Sequence, residues 1–564
     1  MKRWRALAAL GAAQFVMVLD TAVMNVSISQ LTKDFHTTVT AIQAVITLYA
    51  LVMAALMITG GKLGDLWGRR RAFTIGLCVY AVGSSLTAVA PTLGLLALGW
   101  SIIEGTGAAL VLPALAALVA GNYTGRDRAV AYGVIGGLSG AGIAVGPLLG
   151  GWVTTYLTWR LVFAGEVVVV IGILAVIRWI TDVPVESRPA HLDGVGAVLS
   201  ASGLALVVLG VLQSTSWGWL RPRNSPVTIL GFALTPFVIA AGFVTLVGFR
   251  SWERRRERTG RDPLVRFELL RIPPLRAGLS TLLAQNVILL GLFFTIPLYL
   301  QVVQGLDAFE TGLRLVPVSI TMLIASMCGP ALSRIASPRR VVRAGLLVVL
   351  VASLWLMSTI KPHIDDLSFA FAMALLGIGM GLLASQLGNV VQSSVGTRER
   401  SEVGGLQYTA QNLGSALGTA LIGSVLIGAL TVAVNIHVHE DPQVSSAVQQ
   451  EVGKRLEAGI SFVSTDQVRS GLEQSKVPPR QIDSIVDAYS EAQLEGLKTA
   501  ILAAAGIAIA SLLFTRNLPT ERLVTDEPEP DWAVGDPGDG DERATLAGEP
   551  VTGPETATPQ SRSP

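Results

Sequence analysis

AIQAVITLYALVMAALMITGG (residues 41–61) and AFTIGLCVYAVGSSLTAVA (residues 72–90) are two apolar runs joined by the basic turn Lys62-Leu-Gly-Asp-Leu-Trp-Gly-Arg-Arg-Arg71. At about 1.5 Å of rise per residue, each run makes a helix of roughly 30 Å, the thickness of a bilayer's hydrocarbon core. Outward from this pair, similar runs recur at about 7–31, 93–120, 129–153, 159–180, 194–213, 226–249, 275–300, 311–335, 341–360, 366–392, 404–433 and 495–515, fourteen in all. The composition agrees: 51% of the 564 residues are hydrophobic, 15% are charged, and the mean hydropathy is +0.56. That apolar fraction excludes a soluble multidomain enzyme. The expected fold is an all-α polytopic membrane protein with 14 transmembrane helices.

Forty-two basic and 40 acidic residues leave a net charge of +2, which gives no reason to expect a nucleic-acid partner. Placement carries more information than the sum. Basic residues gather at the N-terminus and in alternate loops: Lys62 with Arg69 to Arg71, Arg126 and Arg128, Arg178 and Arg188, Arg250 through Arg276, Arg334 through Arg343, and Arg398 with Arg400. The positive-inside rule then puts both termini in the cytoplasm. Met1-Lys-Arg-Trp-Arg5 begins like a signal peptide, but the apolar run that follows contains Asp20 and lacks a small-residue cleavage pattern, so it is expected to stay as the first span. Cys78 and Cys328 lie inside apolar runs and read as small buried hydrophobes rather than a disulfide. The five histidines, His36, His191, His363, His437 and His439, lie outside the runs, and no metal site or redox cofactor is expected. Arg outnumbers Lys about fivefold, a bias of GC-rich bacterial genomes.

A turn that only sets topology needs its arginines and nothing else. Here the glycines at 61, 64 and 68 with Asp65 between them form a surplus, and Gly61 through Arg70 resembles the cytoplasmic loop signature of the major facilitator superfamily, Gly-x-Leu-x-Asp-x-x-Gly-Arg-Arg. The resemblance implies that Gly61, Asp65, Gly68, Arg69 and Arg70 act as a latch on one conformation of two helix bundles. In the fifth span, Gly142, Gly146, Pro147, Gly150 and Gly151 resemble the motif associated with exporters in that superfamily. Leu19-Asp-Thr-Ala-Val-Met-Asn25 is similar to the first-span signature of its fourteen-span drug:proton antiporters.

Asp20 sits about halfway across the first span, where a carboxylate costs on the order of 2.5–3.5 kcal/mol, so a structural accident explains it poorly. In the fourth span, Ser101-Ile-Ile-Glu104 stands where the family pattern has an Arg followed by Gln, and the sixth span adds Glu166. Three acids thus share the N-terminal half with no fixed intramembrane cation. Like charges in one cavity cannot all ionise cheaply, so at least one holds a proton. Asp20 with Glu104 is the expected proton-exchange pair, and Glu166 or Glu104 the expected partner for substrate charge.

The C-terminal half offers neutral polarity instead: Gln285 and Asn286, Gln386 and Asn389, and Gln407 and Gln411 one helical turn apart beside Asn412. Together with Met24, Asn25, Glu104 and Glu166, these amides are the expected substrate path. Arg314 either pairs with a carboxylate or snorkels outward. Residues 329–340, Gly-Pro-Ala-Leu-Ser-Arg-Ile-Ala-Ser-Pro-Arg-Arg, read as a degenerate copy of the 61–71 turn without its Asp. Two pseudo-repeated six-helix bundles plus two inserted helices follow: 1–193 as the N-terminal bundle, 194–274 as the inserted pair with a basic cytoplasmic loop, 275–515 as the C-terminal bundle with an external loop at 434–494, and 516–564 as a disordered cytoplasmic tail. Arg254 to Arg256 in the basic loop read as a topology determinant, with anionic head groups as the other possibility.

These readings converge on a proton-coupled exporter of lipophilic, cationic small molecules such as drugs or antibiotics, multi-pass in a bacterial inner membrane. Protons are the expected coupling ion, no other cofactor is implied, and the partners are a small lipophilic substrate and membrane lipids, with the chain acting as a monomer. No phosphate-cradling Gly-x-x-x-x-Gly-Lys-Ser/Thr stretch is present. Export of a lipid or secondary metabolite is the alternative within the same class. A membrane-embedded enzyme would need a cluster of nucleophile, base or metal ligands at one face, and the sequence offers none. A transport-inactive sensor or scaffold would not notice neutralisation of the mid-membrane acids.

Overall fold

A computed structural model of the chain describes residues 4–37, 39–123, 125–182, 192–222, 225–396, 399–442, 444–458, 462–474 and 477–521. Arg188, His191, Arg223, Arg398 and the tail from residue 522 lie outside the described residues, as do the side chains of Asn25, Arg126 and Arg334. Thirteen helices among the described residues are long and apolar enough to cross a membrane. The remaining expected span, 159–180, is the 16-residue helix Arg160–Ala175 followed by a single 3-10 turn at Ile177–Trp179.

The first half is built from α1 (Arg5–Val26), α2 (Ile28–Asp34), α3 (Val39–Trp67), α4 (Arg69–Ala88), α5 (Leu93–Leu96), α6 (Gly105–Asn122), α7 (Gly125–Tyr156) and α8 (Arg160–Ala175), with a π-helical segment, Ala97–Glu104, joining α5 to α6. The expected 7–31 span is broken at Ser27, whose hydroxyl lies 2.9 Å from that of Thr154. Gly68 separates α3 from α4 at φ +89°, a conformation that side chains with a Cβ rarely adopt. Then come the hairpin α9 (Gly194–Trp217) and α10 (Thr235–Arg258), and the second half: α11 (Pro273–Leu298), α12 (Ala308–Met327), α13 (Gly329–Ile335), α14 (Pro338–Thr359), α15 (Asp366–Ser393), α16 (Arg400–Glu440), α17 (Ser446–Ala458), α18 (Thr465–Gln474) and α19 (Pro479–Phe514).

Two separate apolar cores form, one drawn from residues 6–180 with Tyr408, the other from residues 269–518. The halves meet where α7 packs on α12 and α3 on α16, and α9 lies against both α3 and α16. α16 has 41 residues and α19 has 36, lengths of about 60 and 54 Å that exceed the bilayer core. Their overhanging ends join α17 and α18 around a third core that includes Val438, Val444, Ile485 and Tyr489. The expected external loop at 434–494 is therefore largely helical in its described residues.

Both cysteines differ from expectation: Cys78 and Cys328 are exposed on the outer surface of the helices rather than buried among them. An apolar run fixes membrane depth but not which face of the helix looks outward, and a thiol is tolerated on either.

Candidate functional site

α1, the π-helical segment and α8 bring Asp20, Glu104 and Glu166 together. All three are fully buried or nearly so, and one oxygen of each lies within 4.8 Å of the others. Close helix contact makes this possible. A Cβ on Gly83 of α4 would stand 2.5 Å from the Glu104 nitrogen, and one on Gly107 2.5 Å from the Tyr80 nitrogen, so only glycine lets α4 lie this near the fourth span. The π-helical segment carries both Trp100 and Glu104; such i→i+5 turns recur at functional sites because they re-aim side chains within a helix.

The three acids are unequally held. The Trp100 indole donates to Asp20 Oδ1 at 2.8 Å and stacks on the Tyr49 ring, with centroids 4.5 Å apart. Ser84 and Tyr80 donate to Glu166 Oε2 at 2.9 and 3.2 Å. Glu104 has no hydrogen-bond partner on either oxygen, and Asp20 Oδ2, Glu166 Oε1 and the Tyr49 hydroxyl also lack one. No Lys, Arg or His among the described residues forms an ion pair with any of the three acids. Buried like charges without a cationic partner are costly, so the arrangement is chemically suited to neutralisation by protons or a small cation. It is also the one group of acids, histidines or cysteines among the described residues close enough to hold a metal ion. The described histidines take no part: His437 lies 3.4 Å from Glu495, and His439 Nδ1 lies 2.8 Å from the Asn435 carbonyl.

The expected amides do not gather in the same way. Ser333 donates to Gln386 Oε1 at 3.2 Å, while the Gln386 amide donates to the Gly329 carbonyl at 3.3 Å and to Ser385. Gln392 donates to Gln407 Oε1 at 3.1 Å, and Asn286 to the Leu282 carbonyl at 2.9 Å. Gln285 Oε1 and Asn389 Oδ1 are buried without a partner, and Gln411 is half-buried. Met24 is fully buried. No hydrogen bond among the described residues links these amides to the acids.

Gly142, Gly146 and Gly150 form the face of α7 on which α1 rests. A Cβ there would stand 3.0 Å from Val18, 2.2 Å from Ala22 and 2.9 Å from Val23, residues that bracket Asp20. Gly151 is buried beside them, and Pro147 with Leu148 is where α12 approaches, about 3.0 Å from a Cβ placed on Gly312. At the turn, Arg69 is 3.9 Å from Asp65 and only 4% exposed. Gly61 is buried and Gly68 makes the bend between the helices. Arg70 bonds elsewhere: its backbone N–H donates to Asp182 at 3.2 Å and its guanidinium to the Ile180 carbonyl at 3.4 Å. Arg314 pairs with Asp366, which decides between the two roles left open for it.

Several residues gave no signal in the sequence. Tyr49, Tyr80, Ser84 and Trp100 sit in apolar runs where aromatic and small polar residues are unremarkable. At the same end as the turn, the Tyr408 hydroxyl donates to Gln14 at 3.0 Å, the Arg400 guanidinium donates to the Ala120 carbonyl at 3.2 Å, and Gly405 approaches the Met57 carbonyl, all joining the two halves. Arg266 clamps the basic loop onto α16 through Glu402 at 3.2 Å and Glu399 at 3.3 Å. Burial pulls the Arg266 guanidinium down, but those two carboxylates outweigh it and hold it above its ordinary value. Of Arg254 to Arg256, Arg256 is committed to buried Asp193 at 3.2 Å.

The sequence profile of the Major Facilitator Superfamily matches residues 10–419. The tetracenomycin C resistance and export protein of Streptomyces glaucescens is 27% identical over 538 residues, covering 94% of this chain and 95% of its own. The puromycin resistance protein of Streptomyces alboniger is 30% identical, covering 76% of this chain and 82% of its own. Among solved structures, the human organic anion transporter MFSD10 (TETRAN) superposes with a TM-score of 0.55 at 14% identity, over 91% of this chain and 99% of its own, which shows a shared fold.

Proposed function

The chain belongs to the Major Facilitator Superfamily of membrane transporters, and on that premise we propose that it is a proton-coupled exporter of lipophilic, cationic small molecules, drugs or antibiotics among them. In this reading it works as a monomer in a bacterial inner membrane with both termini cytoplasmic, and protons are its coupling ion. Relatives named for antibiotic export and resistance support the direction and the class of cargo. The observation that carries the coupling is the buried triad of Asp20, Glu104 and Glu166, with Glu104 unpartnered on both oxygens.

The cycle follows from charge. With the site closed to water, the triad is stable only when protonated or when a cation neutralises it. A lipophilic cation entering from the cytoplasm or inner leaflet displaces protons from Asp20 and Glu104 and takes Glu166 or Glu104 as its counter-charge. After the bundles rock to the other side, external protons reload the acids and release the cargo. Asp65, Arg69 and Arg70 bias which side is open. Export of a secondary metabolite is the second reading, and the tetracenomycin C exporter among the relatives favours it.

Everted membrane vesicles, energised and loaded with a pH-gradient dye, test the proposal. Lipophilic cations are expected to collapse the gradient in wild type and to leave it intact in Asp20→Asn. If no cation elicits a response from folded protein, neutral metabolites become the cargo. A sodium dependence in place of the proton signal would reassign the triad to another cation.

A further inference from the structure

The 22-residue helix α14 begins in a basic hollow at the end of the molecule that carries the 61–71 turn. A cavity of about 300 Å³ is lined there by Ser337, Arg339, Arg340, Arg343 and Thr520. None of the three arginines pairs with a carboxylate among the described residues. Arg343 Nε donates to the Thr515 hydroxyl at 2.9 Å, which leaves the rest of its guanidinium for the cavity. Arg339 Nε is buried with no partner at all. The positive end of the α14 dipole adds to this field. Three guanidinium groups held together in this way repel one another and gain most from a ligand carrying several anionic oxygens, for which their planar forks are suited.

What lies above the hollow narrows the ligand. Arg340 is exposed, and the same face of α14 continues through exposed Ala344, Leu347, Val351, Leu354 and Trp355. Neighbouring α19, packed against α14, presents exposed Ile509, Leu513 and Phe514 toward the same end. An apolar surface long enough for acyl chains therefore leads to a cationic cavity, which is the arrangement of an amphiphile with a phosphate head. We propose that Arg339, Arg340 and Arg343 form a binding site for the phosphate of an anionic phospholipid whose chains lie along α14 and α19. The site goes beyond the transport reaction and uses none of its residues. It also fits the degenerate 329–340 stretch, which lacks the Asp that Arg69 has in the first turn.

The test uses the full-length protein taken in mild detergent from phosphatidylcholine vesicles containing a minority of phosphatidylglycerol, with retained lipid counted by native mass spectrometry. Wild type is expected to enrich phosphatidylglycerol. The variant Arg339→Gln/Arg340→Gln/Arg343→Gln is expected to lose that enrichment about tenfold, within what three basic residues contribute near a membrane surface. The control Arg255→Gln/Arg258→Gln/Arg261→Gln removes three exposed charges beside the same membrane face and is expected to behave as wild type. Should the triple pocket variant not fold, Arg340→Gln alone, at an exposed side chain, is expected to lose about threefold. Equal retention by wild type and pocket variant, or equal loss in the control, overturns the proposal. Displacement of phosphatidylglycerol from wild type by millimolar inorganic phosphate or glycerol phosphate overturns the lipid assignment and gives the hollow to a soluble phosphate.

Discussion

Glu104 in the N-terminal half has both carboxylate oxygens unpartnered, whereas Gln386 in the C-terminal half uses its amide fully, on Ser333, Ser385 and the Gly329 carbonyl. Both side chains are buried inside apolar helices. The difference shows that two kinds of polarity are kept in the membrane for different reasons. A buried amide is affordable once its neighbours supply donors and acceptors. A bare buried carboxylate costs more, and it persists where something mobile can neutralise it and leave again.

Neutralising each half is the strongest way to break this contrast. Glu104→Gln is expected to cut substrate-driven proton movement in everted vesicles on the order of a hundredfold, the lower end of what a positioned proton-transfer group contributes. Its melting temperature in detergent is expected to hold or rise, because a costly unpaired acid is gone. The mirror substitution Gln386→Leu is expected to reduce proton movement far less than Glu104→Gln does, while costing about 1 kcal/mol of stability through the hydrogen bonds lost. If Glu104→Gln transports normally, the contrast between the halves has no functional content.

Glycine substitutions sharpen the comparison at smaller amplitude. An added Cβ at Gly146 would meet Ala22 at 2.2 Å, and one at Gly418 would meet the Val287 carbonyl at 2.4 Å. Both Gly146→Ala and Gly418→Ala are expected to cost about 1–3 kcal/mol by overpacking, read as a fall in melting temperature. They should part company in transport. Gly146→Ala displaces the helix that carries Asp20 and is expected to lose proton coupling at temperatures where the fold is intact, while Gly418→Ala, on a helix without a coupling acid, is expected to keep it.

The spans and the acids were legible because both are local signals: apolar run length sets helix and depth, and a carboxylate inside such a run stands out. That Asp20, Glu104 and Glu166 share one cavity follows from acids on spans of one bundle, but that they close to within 4.8 Å of one another was not legible. Their convergence depends on the phase of the fourth span, which the π-helical segment resets, and on the glycine contacts at 83 and 107 that draw α4 close. Among the amides, the partners were not legible. Gln407 and Gln411 share a helix face, yet Gln407 is taken up by Gln392, a residue the sequence gave no reason to single out. Asp182 gives no signal because it ends a span, where an acid is ordinary, and nothing in the chain announces that it receives the Arg70 N–H.

The smallest effect separates the two arginine-bearing turns. Asp65→Asn removes the carboxylate 3.9 Å from Arg69 across the Gly68 bend, a separation at which an ion pair contributes about 1 kcal/mol at most, so transport is expected to change by about fivefold or less. The substitution makes the first turn resemble the second in composition, but not in what it can bind. Arg69 is only 4% exposed, and Arg70 keeps its bonds to Asp182 and the Ile180 carbonyl, so no guanidinium is released toward the membrane. Asp65→Asn is therefore expected to leave phosphatidylglycerol retention as in wild type by native mass spectrometry. A gain in retained lipid would mean that loss of the acid alone creates a phosphate site, and the cavity at the start of α14 would then owe its chemistry to a missing Asp rather than to its shape.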